Sequence, residues 1–410
     1  MSRLLEKMYI VSLGNTPIPF KVFFPNGTCY SQGAGPPAFT ISYRKKSAVL
    51  NTMLFHGWGL LESYIRGSVD IGGDLKSLIR ALVDNQPPLD QYARQPNIPH
   101  PLIRIRNFWH EVVFGNRRSN QGVKNALAHY NRGSDIFWQY LDPTMTYTCA
   151  YWKNGTRTLK EAQENKLDHV CRKLRLKPGE SLIDVGGGWG SLLFHAAKHY
   201  GVTGTNLSPT IDQNLWLLEK AEKEGIQDKI FVQEKDFRQV EGTFDKYASL
   251  GVYEHAGKKQ LNAWVSAMSR CLKPGGIGVL HFIAHDSPME TDFFIRKHIF
   301  PGGYIPGLSE TIDLMAFHGL EILDIENLRR HYALTLDQWA LSFDENWEKI
   351  HNYNPVLFDE SFRRTWRAYL YFCAEFFRVK NSVLRLYQIT FSKGLATDYP
   401  MDRGFLYKDA

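Results

Sequence analysis

Over the first 90 residues, hydrophobic positions come in short alternating runs broken by glycine and proline. Residues 21–25, 39–43 and 47–55 carry the pattern of strands; 62–67 and 74–84 carry that of helices, the second closed by Asn85-Gln86-Pro87-Pro88. A connector rich in proline and arginine spans 91–118, and an amphipathic stretch, 124–142, leads into the aromatic turn Met145-Thr-Tyr-Thr-Cys-Ala-Tyr-Trp152. From 178 to about 285 the pattern changes. Strand-like runs at 180–185, 202–208, 229–236, 245–253 and 277–284 are separated by helical spacing at 190–200, 209–223 and 259–272. Two more strand patterns, 319–328 and 383–391, flank an aromatic helical region at 335–380. This alternation predicts an α/β fold with a mostly parallel sheet covered on both faces. A smaller α+β N-terminal domain over 1–118 precedes a main domain over 119–410.

Composition changes this picture little. Of 410 residues, 43% are hydrophobic and 22% charged, which excludes a disordered chain. No apolar run approaches the ~18 residues of a membrane span, and the N-terminus lacks the apolar core and cleavage site of a secretory signal. Cysteines at 29, 149, 171, 271 and 373 form no CxxC, as expected in a reducing cytoplasm. The net charge of +7 is unevenly placed. Residues 1–50 hold six Lys/Arg against Glu6 alone, and residues 91–133 hold seven against Glu111 alone. Aromatics are interleaved with them: Phe20, Phe23, Phe24, Tyr43, Phe55, Trp58, Phe108 and Trp109. Docking on an anionic bilayer and a solvated basic face over an aromatic core both account for this pattern, and phosphate of nucleic acid attracts the same charges.

The segment Asp184-Val-Gly-Gly-Gly-Trp-Gly190 closes a strand pattern and opens a helical one, the context of a cofactor loop. A dinucleotide site needs GxGxxG and an acidic residue ending the second strand; here the spacing is GxGxG and Gly204-Thr205-Asn206 stands there. The spacing is similar to the first motif of class I S-adenosylmethionine methyltransferases. Asp236 stands where such enzymes contact adenine, with Phe237 able to stack on it; read alone, Asp236 serves equally as a solvated turn residue.

Further segments exceed a generic methyltransferase pattern: the aromatic turn at 145–152, Val252-Tyr-Glu-His-Ala-Gly257, Leu280-His-Phe-Ile283, Ile299-Phe-Pro-Gly-Gly-Tyr304 and His331-Tyr-Ala-Leu-Thr-Leu-Asp-Gln-Trp339. In this order, with the glycine loop, they closely resemble the cyclopropane-fatty-acyl-phospholipid synthases and mycolic acid cyclopropane synthases. The resemblance runs from about residue 125 to the C-terminus and is weaker before 120. It implies transfer of a methylene group from S-adenosylmethionine to a cis double bond in an acyl chain of membrane phospholipids. An alkene is a weak nucleophile and must be held in line with the methyl. Addition leaves a carbocation, which aromatic faces stabilise in a dry site, and a base then removes a proton to close the ring. In the family that base is a bound bicarbonate.

The resemblance assigns the bicarbonate site to Cys149, Glu254, His281, Ile283 and Tyr332. Glu254 orients the anion, His281 and Tyr332 donate to it, and Cys149 and Ile283 contribute mainly main-chain groups. Singly, Glu254 reads as half of an ion pair with His255, His281 as a core histidine and Tyr332 as packing. Cys373 matches a cysteine proposed as a nucleophile in the family, although a buried thiol behaving as a small hydrophobe explains it as well. Tyr147, Thr148, Asp184, Gly186, Gly188, Gly190, Asn206, Leu207, Asp236 and Phe237 match the methyl-donor site. The sequence departs from the family at Gly187, usually Cys, at Asn206, commonly Thr, at Ile211, commonly Gln, and at Asn131-Arg132. Asn206 or Gln213 then supplies the ribose contact. The family also implies a homodimer, peripheral to the inner face of the membrane and acting on no nucleic acid. A methyl-branched or methylene product and a non-catalytic lipid-binding relative are the alternatives.

Overall fold

The computed structural model describes residues 2–13, 16–84, 134–380 and 382–407, with positions 105, 108, 109 and 113. Apart from those four, the connector 91–118 lies outside the described residues, as do 119–133 with Asn131 and Arg132. The chain divides into two compact units, Met1–Trp109 with Leu336–Val383, and His110–Thr335 with Leu384–Ala410.

In the first unit, β1 (Phe20–Phe23), β2 (Cys29–Gln32), β3 (Phe39–Tyr43) and β4 (Val69–Gly73) form a sheet of order β2-β1-β3-β4, in which only β1 and β3 run parallel. Phe20 stacks on Phe39 at 5.1 Å, and the hydroxyls of Tyr9 and Tyr43 meet at 2.7 Å. Helices α1 (Ser2–Leu13), α2 (Lys46–Phe55), α3 (Gly57–Ile65) and α4 (Leu75–Asp84) accompany the sheet.

The strand expected at 47–55 is instead helix α2. Its buried positions, Ala48, Val49 and Thr52, share one helical face. That face packs so tightly on α3 that a Cβ at Gly59 would lie 2.0 Å from the Asn51 carbonyl oxygen. The Asn51 amide also donates to Gly59 O and Ser63 Oγ. This close pairing of two helices overrides the β-like composition.

In the second unit the sheet order is β10-β11-β9-β8-β5-β6-β7. The strands are β5 (Ser181–Val185), β6 (Thr203–Leu207), β7 (Ile230–Gln233), β8 (Phe244–Leu250), β9 (Leu272–Ala284), β10 (Leu320–Asn327) and β11 (Arg385–Lys393). From β7 to β9 all pairings are parallel, while β11 is antiparallel to both its neighbours. Helices in this unit include α5 (Ser134–Tyr140), α6 (Leu159–Leu174), α7 (Ser191–Tyr200), α8 (Ile211–Lys223), α9 (Leu261–Cys271) and α10 (Leu308–Phe317). The fold class is as expected: the α/β pattern of the alternation with a mostly parallel sheet, of the class I methyltransferase kind that the resemblance implies, and a smaller α+β part. β10 and β11 complete one edge.

The aromatic helical region consists of α11 (Arg329–Glu345), α12 (Trp347–Tyr353) and α13 (Glu360–Arg378). From Leu336 onward this segment belongs to the first unit. The Arg364 guanidinium on α13 donates to the carbonyls of Tyr64 and Val69 at 2.9 and 3.1 Å and to Asp70 Oδ1 at 2.9 Å.

Candidate active site

The chain leaves apolar β5 at Val185 and passes through the glycine loop before α7 begins. Gly186, Gly188 and Gly190 have φ of 79°, 57° and 77°, a region that favours glycine. The loop walls a cleft of about 140 Å³ at the C-terminal ends of the parallel strands, where open α/β sheets bind ligands. Tyr147, Thr148, Asp184, Gly186, Gly188, Leu207, Asp236 and Phe237 line it together.

Gly190 and Asn206 belong instead to the support behind the loop. A Cβ at Gly190 would lie 2.4 Å from Leu217 Cδ1. Asn206 is fully buried and donates Nδ2 to Asn214 Oδ1 at 3.0 Å and to Gly188 O at 3.4 Å. Its Oδ1, with Asp184 Oδ2, occupies the space a side chain at Gly187 would need, at 2.7 and 2.6 Å from an ideal Cβ. Glycine at 187 and asparagine at 206 therefore fit one another in volume. Ile211, opening α8, faces solvent, and it is Gln213 that lines the cleft. Phe237 packs against Trp264 at 4.4 Å, forming an aromatic wall. The Asp236 carboxylate caps its own turn and is held by the Arg238 guanidinium at 2.5 and 2.8 Å.

Lys166, on α6, lines the cleft but escaped the sequence reading. It is buried and donates Nζ to Thr148 Oγ1 at 2.8 Å. Burial pulls its pKa down to about 8, against the attraction of Asp142 and Asp184. Burial pushes Asp184 up to about 7, against the pull of Lys166, and its Oδ1 has no protein hydrogen-bond partner among the described residues. Neighbouring Gln163 donates to the carbonyls of Thr146 and Thr148, at 3.2 and 2.9 Å, and so holds the Met145–Thr148 wall. The polar residues of α6 resemble a solvated face in sequence; only the burial of Gln163 and Lys166 distinguishes them. A buried carboxylate, a buried cation, a glycine loop and an aromatic wall fit the amino acid and adenine ends of S-adenosylmethionine.

The five residues expected at an anion site belong to this same unit. Glu254 follows β8, and its Oε1 accepts from the Ile283 amide at 2.5 Å. Burial raises its pKa to about 7, and Oε2 is buried without a protein partner among the described residues. The Ile283–Leu386 pair of β9 and β11 adjoins Leu328, whose amide donates to Leu386 O. Leu328 O in turn receives the Tyr332 amide and the Cys149 thiol. Glu254, Ile283, Tyr332 and Cys149 are thus tied to one corner of the sheet. His281, opposite Leu250, accepts the Gly251 amide through its carbonyl, and Gly251, Val252 and His255 line the cleft. Burial drives the His281 ring well below the usual histidine range, so it is neutral, and pushes the Cys149 thiol far up. An unpartnered carboxylate oxygen on Glu254 and a neutral histidine on the strand that carries Ile283 suit a small anion that arrives carrying a proton. Cys373 lies on α13, in the first unit.

The strand order and the glycine-walled cleft define a class I S-adenosylmethionine-dependent methyltransferase. Residues 117–389 match the family described as mycolic acid cyclopropane synthetase. The chain is 35% identical to the cyclopropane-fatty-acyl-phospholipid synthase of Escherichia coli (strain K12), over 82% of this chain and 83% of that one. It is 31% identical to a probable fatty acid methyltransferase of Pseudomonas putida, over 84% and 86%. Among solved structures, mycolic acid cyclopropane synthase CmaA1 complexed with SAH and CTAB superposes with a TM-score of 0.61 at 30% identity, covering 66% of this chain and 98% of that one. The chain belongs to the cyclopropane synthase family.

Proposed function

We propose that this enzyme transfers a methylene group from S-adenosylmethionine to the cis double bond of unsaturated phospholipid acyl chains, with a bound bicarbonate taking up the proton lost on ring closure. The observation that carries this reading is the buried Glu254 carboxylate, fixed at Oε1 by the Ile283 amide and unpartnered at Oε2 among the described residues. Bound S-adenosylmethionine supplies an electrophilic methyl, and bicarbonate supplies a base. The glycine loop, Lys166 and Asp184 hold the donor, while Phe237 and Trp264 form its aromatic wall. Glu254 accepts the anion's hydrogen, and neutral His281 and Tyr332 donate to its oxygens. The thiol of Cys149 stays protonated and its hydrogen is directed at carbonyl oxygens, so no thiolate competes for the cation.

The test is release of S-adenosylhomocysteine from vesicles of unsaturated phospholipid, with and without added bicarbonate. Glu254→Ala should abolish most turnover while keeping donor binding; full turnover in that variant, or none in the wild type, rejects the reading. The likeness to a probable fatty acid methyltransferase supports a second outcome, in which the same cation loses a different proton, directly to give a methyl-branched alkene or after a hydride shift to give a methylene chain, and a separate reductase saturates the branch. Mass spectrometry of the product lipids separates the two.

Docking on an anionic bilayer is supported by α2. Lys46, Leu50 and Leu54 are exposed at successive turns, beside exposed Arg44 and Lys45, the make-up of an interfacial helix. Phe108 and Trp109 are exposed as well, whereas Phe20, Phe24 and Tyr43 are core residues. Among the described residues no helix is long and apolar enough to cross a membrane. Co-sedimentation with liposomes should require anionic lipid and weaken with salt; sedimentation indifferent to both refutes docking.

A further inference from the structure

At one level of the sheet, three polar side chains occupy directly opposed positions on adjacent strands: His281 on β9, Gln388 on β11 and Glu326 on β10. Opposed residues share a face and their side chains meet. The Gln388 amide lies 3.0 Å from His281 Nδ1 through its Nε2, and its Oε1 lies 2.9 Å from Lys173 Nζ. Lys173 reaches in from the last turn of α6 and also donates to Glu326 Oε2 at 2.6 Å; His169, one turn earlier, approaches the same oxygen at 2.8 Å. His281, Gln388 and Lys173 are all buried.

The hydrogens in this row follow from donor and acceptor types. A lysine ammonium only donates, so the oxygen of Gln388 must face Lys173 and its NH₂ must face His281. An NH₂ only donates, so Nδ1 must be the acceptor. A neutral imidazole that accepts at one nitrogen carries its hydrogen on the other. The ion pair with Glu326 keeps the lysine charged against the cost of burial, and so keeps the amide from turning over.

We propose that Gln388, locked by Lys173 and Glu326, is a positioning residue that fixes His281 as its Nε2–H tautomer and thereby makes it a hydrogen-bond donor to the bound anion. The proposal rests on the bicarbonate reading given above for the role of His281, though not for its tautomer. Gln388→Glu keeps the shape but places an acceptor opposite Nδ1. The hydrogen then moves to Nδ1, and Nε2 presents a lone pair to the anion. A hydrogen bond to a charged group is lost, and the bicarbonate concentration for half-maximal rate should rise about ten- to hundredfold. The KM for S-adenosylmethionine should stay within about twofold, because Gln388 does not line the donor cleft.

The experiment measures bicarbonate dependence of turnover for wild type and Gln388→Glu. In parallel, ¹⁵N NMR of histidine-labelled protein is recorded, with His281 assigned by its loss in His281→Gln. The expected result is an Nε2–H ring in the wild type and an Nδ1–H ring in Gln388→Glu, with the raised bicarbonate requirement. A wild-type ring protonated at Nδ1 overturns the proposal, as does an unchanged bicarbonate requirement in a variant whose tautomer has switched. If the wild type ignores bicarbonate, the base reading fails, while the wild-type spectrum still decides the tautomer. Should Gln388→Glu not fold, Lys173→Met is used instead; it frees the amide and should yield a mixture of the two rings, and a ring that remains wholly Nε2–H overturns the locking role.

Discussion

Gly187 has an ordinary φ, so adding a methyl there tests crowding alone. An ideal Cβ would sit 2.6 Å from Asp184 Oδ2 and 2.7 Å from Asn206 Oδ1, well inside carbon–oxygen contact. Neither neighbour yields easily: Asn206 is held by Asn214, and Asp184 is buried at the end of β5. Overpacking of this kind costs about 1–3 kcal/mol. Gly187→Ala should therefore lower the urea midpoint at unchanged slope and weaken S-adenosylhomocysteine binding measured by calorimetry. Asn206→Thr alone removes the donor to Asn214, a loss of about 1 kcal/mol, but it also withdraws Oδ1 from the crowded space. The double variant should consequently be more stable than the sum of the single effects predicts, by about 1 kcal/mol. Additivity within about 0.5 kcal/mol would refute the volume fit between positions 187 and 206.

The buried carboxyl of Glu254 holds its proton up to about pH 7, above its ordinary value of 4.5. A group with a raised folded pKa stabilises fully below its unfolded pKa and loses that contribution as pH rises through the folded one. Glu254→Gln should thus flatten the fall in stability between about pH 4.5 and 7, gaining up to about 3 kcal/mol on wild type above that window; parallel stability–pH curves would refute the burial argument. Asp184, raised to about 7 for the same reason, keeps the remaining slope from vanishing. Arg364→Met removes donors from two carbonyls and from Asp70, and should destabilise the first unit by about 2–4 kcal/mol. Unchanged protection of the β4 amides in hydrogen exchange would show that this arginine does not secure α13 there.

The glycine spacing, the alternation of strand and helix and the ordered motifs made the second unit and its donor loop legible from the chain. Each depends on residues near one another in sequence: a strand end, a turn with positive φ and a helix start. Strand and helix propensity failed at 47–55, because the close approach of α2 and α3 at Gly59 is a contact between helices and leaves no local signal. The same limit hid Lys166 and Gln163, whose residue types suit a solvated helix and whose roles follow only from burial against the 145–148 wall. It also hid the return of 336–383 to the first unit, made by a guanidinium on α13 reaching carbonyls nearly 300 positions earlier. Cross-strand register placed Gln388 opposite His281, and an inserted lysine decided which way its amide points. Which chemical groups the chain carries, and the local geometry of its glycine loop, are set by residues adjacent along the chain. Which groups lose water and which face one another is set by the folded arrangement, because desolvation and hydrogen-bond direction depend on neighbours far away along the chain.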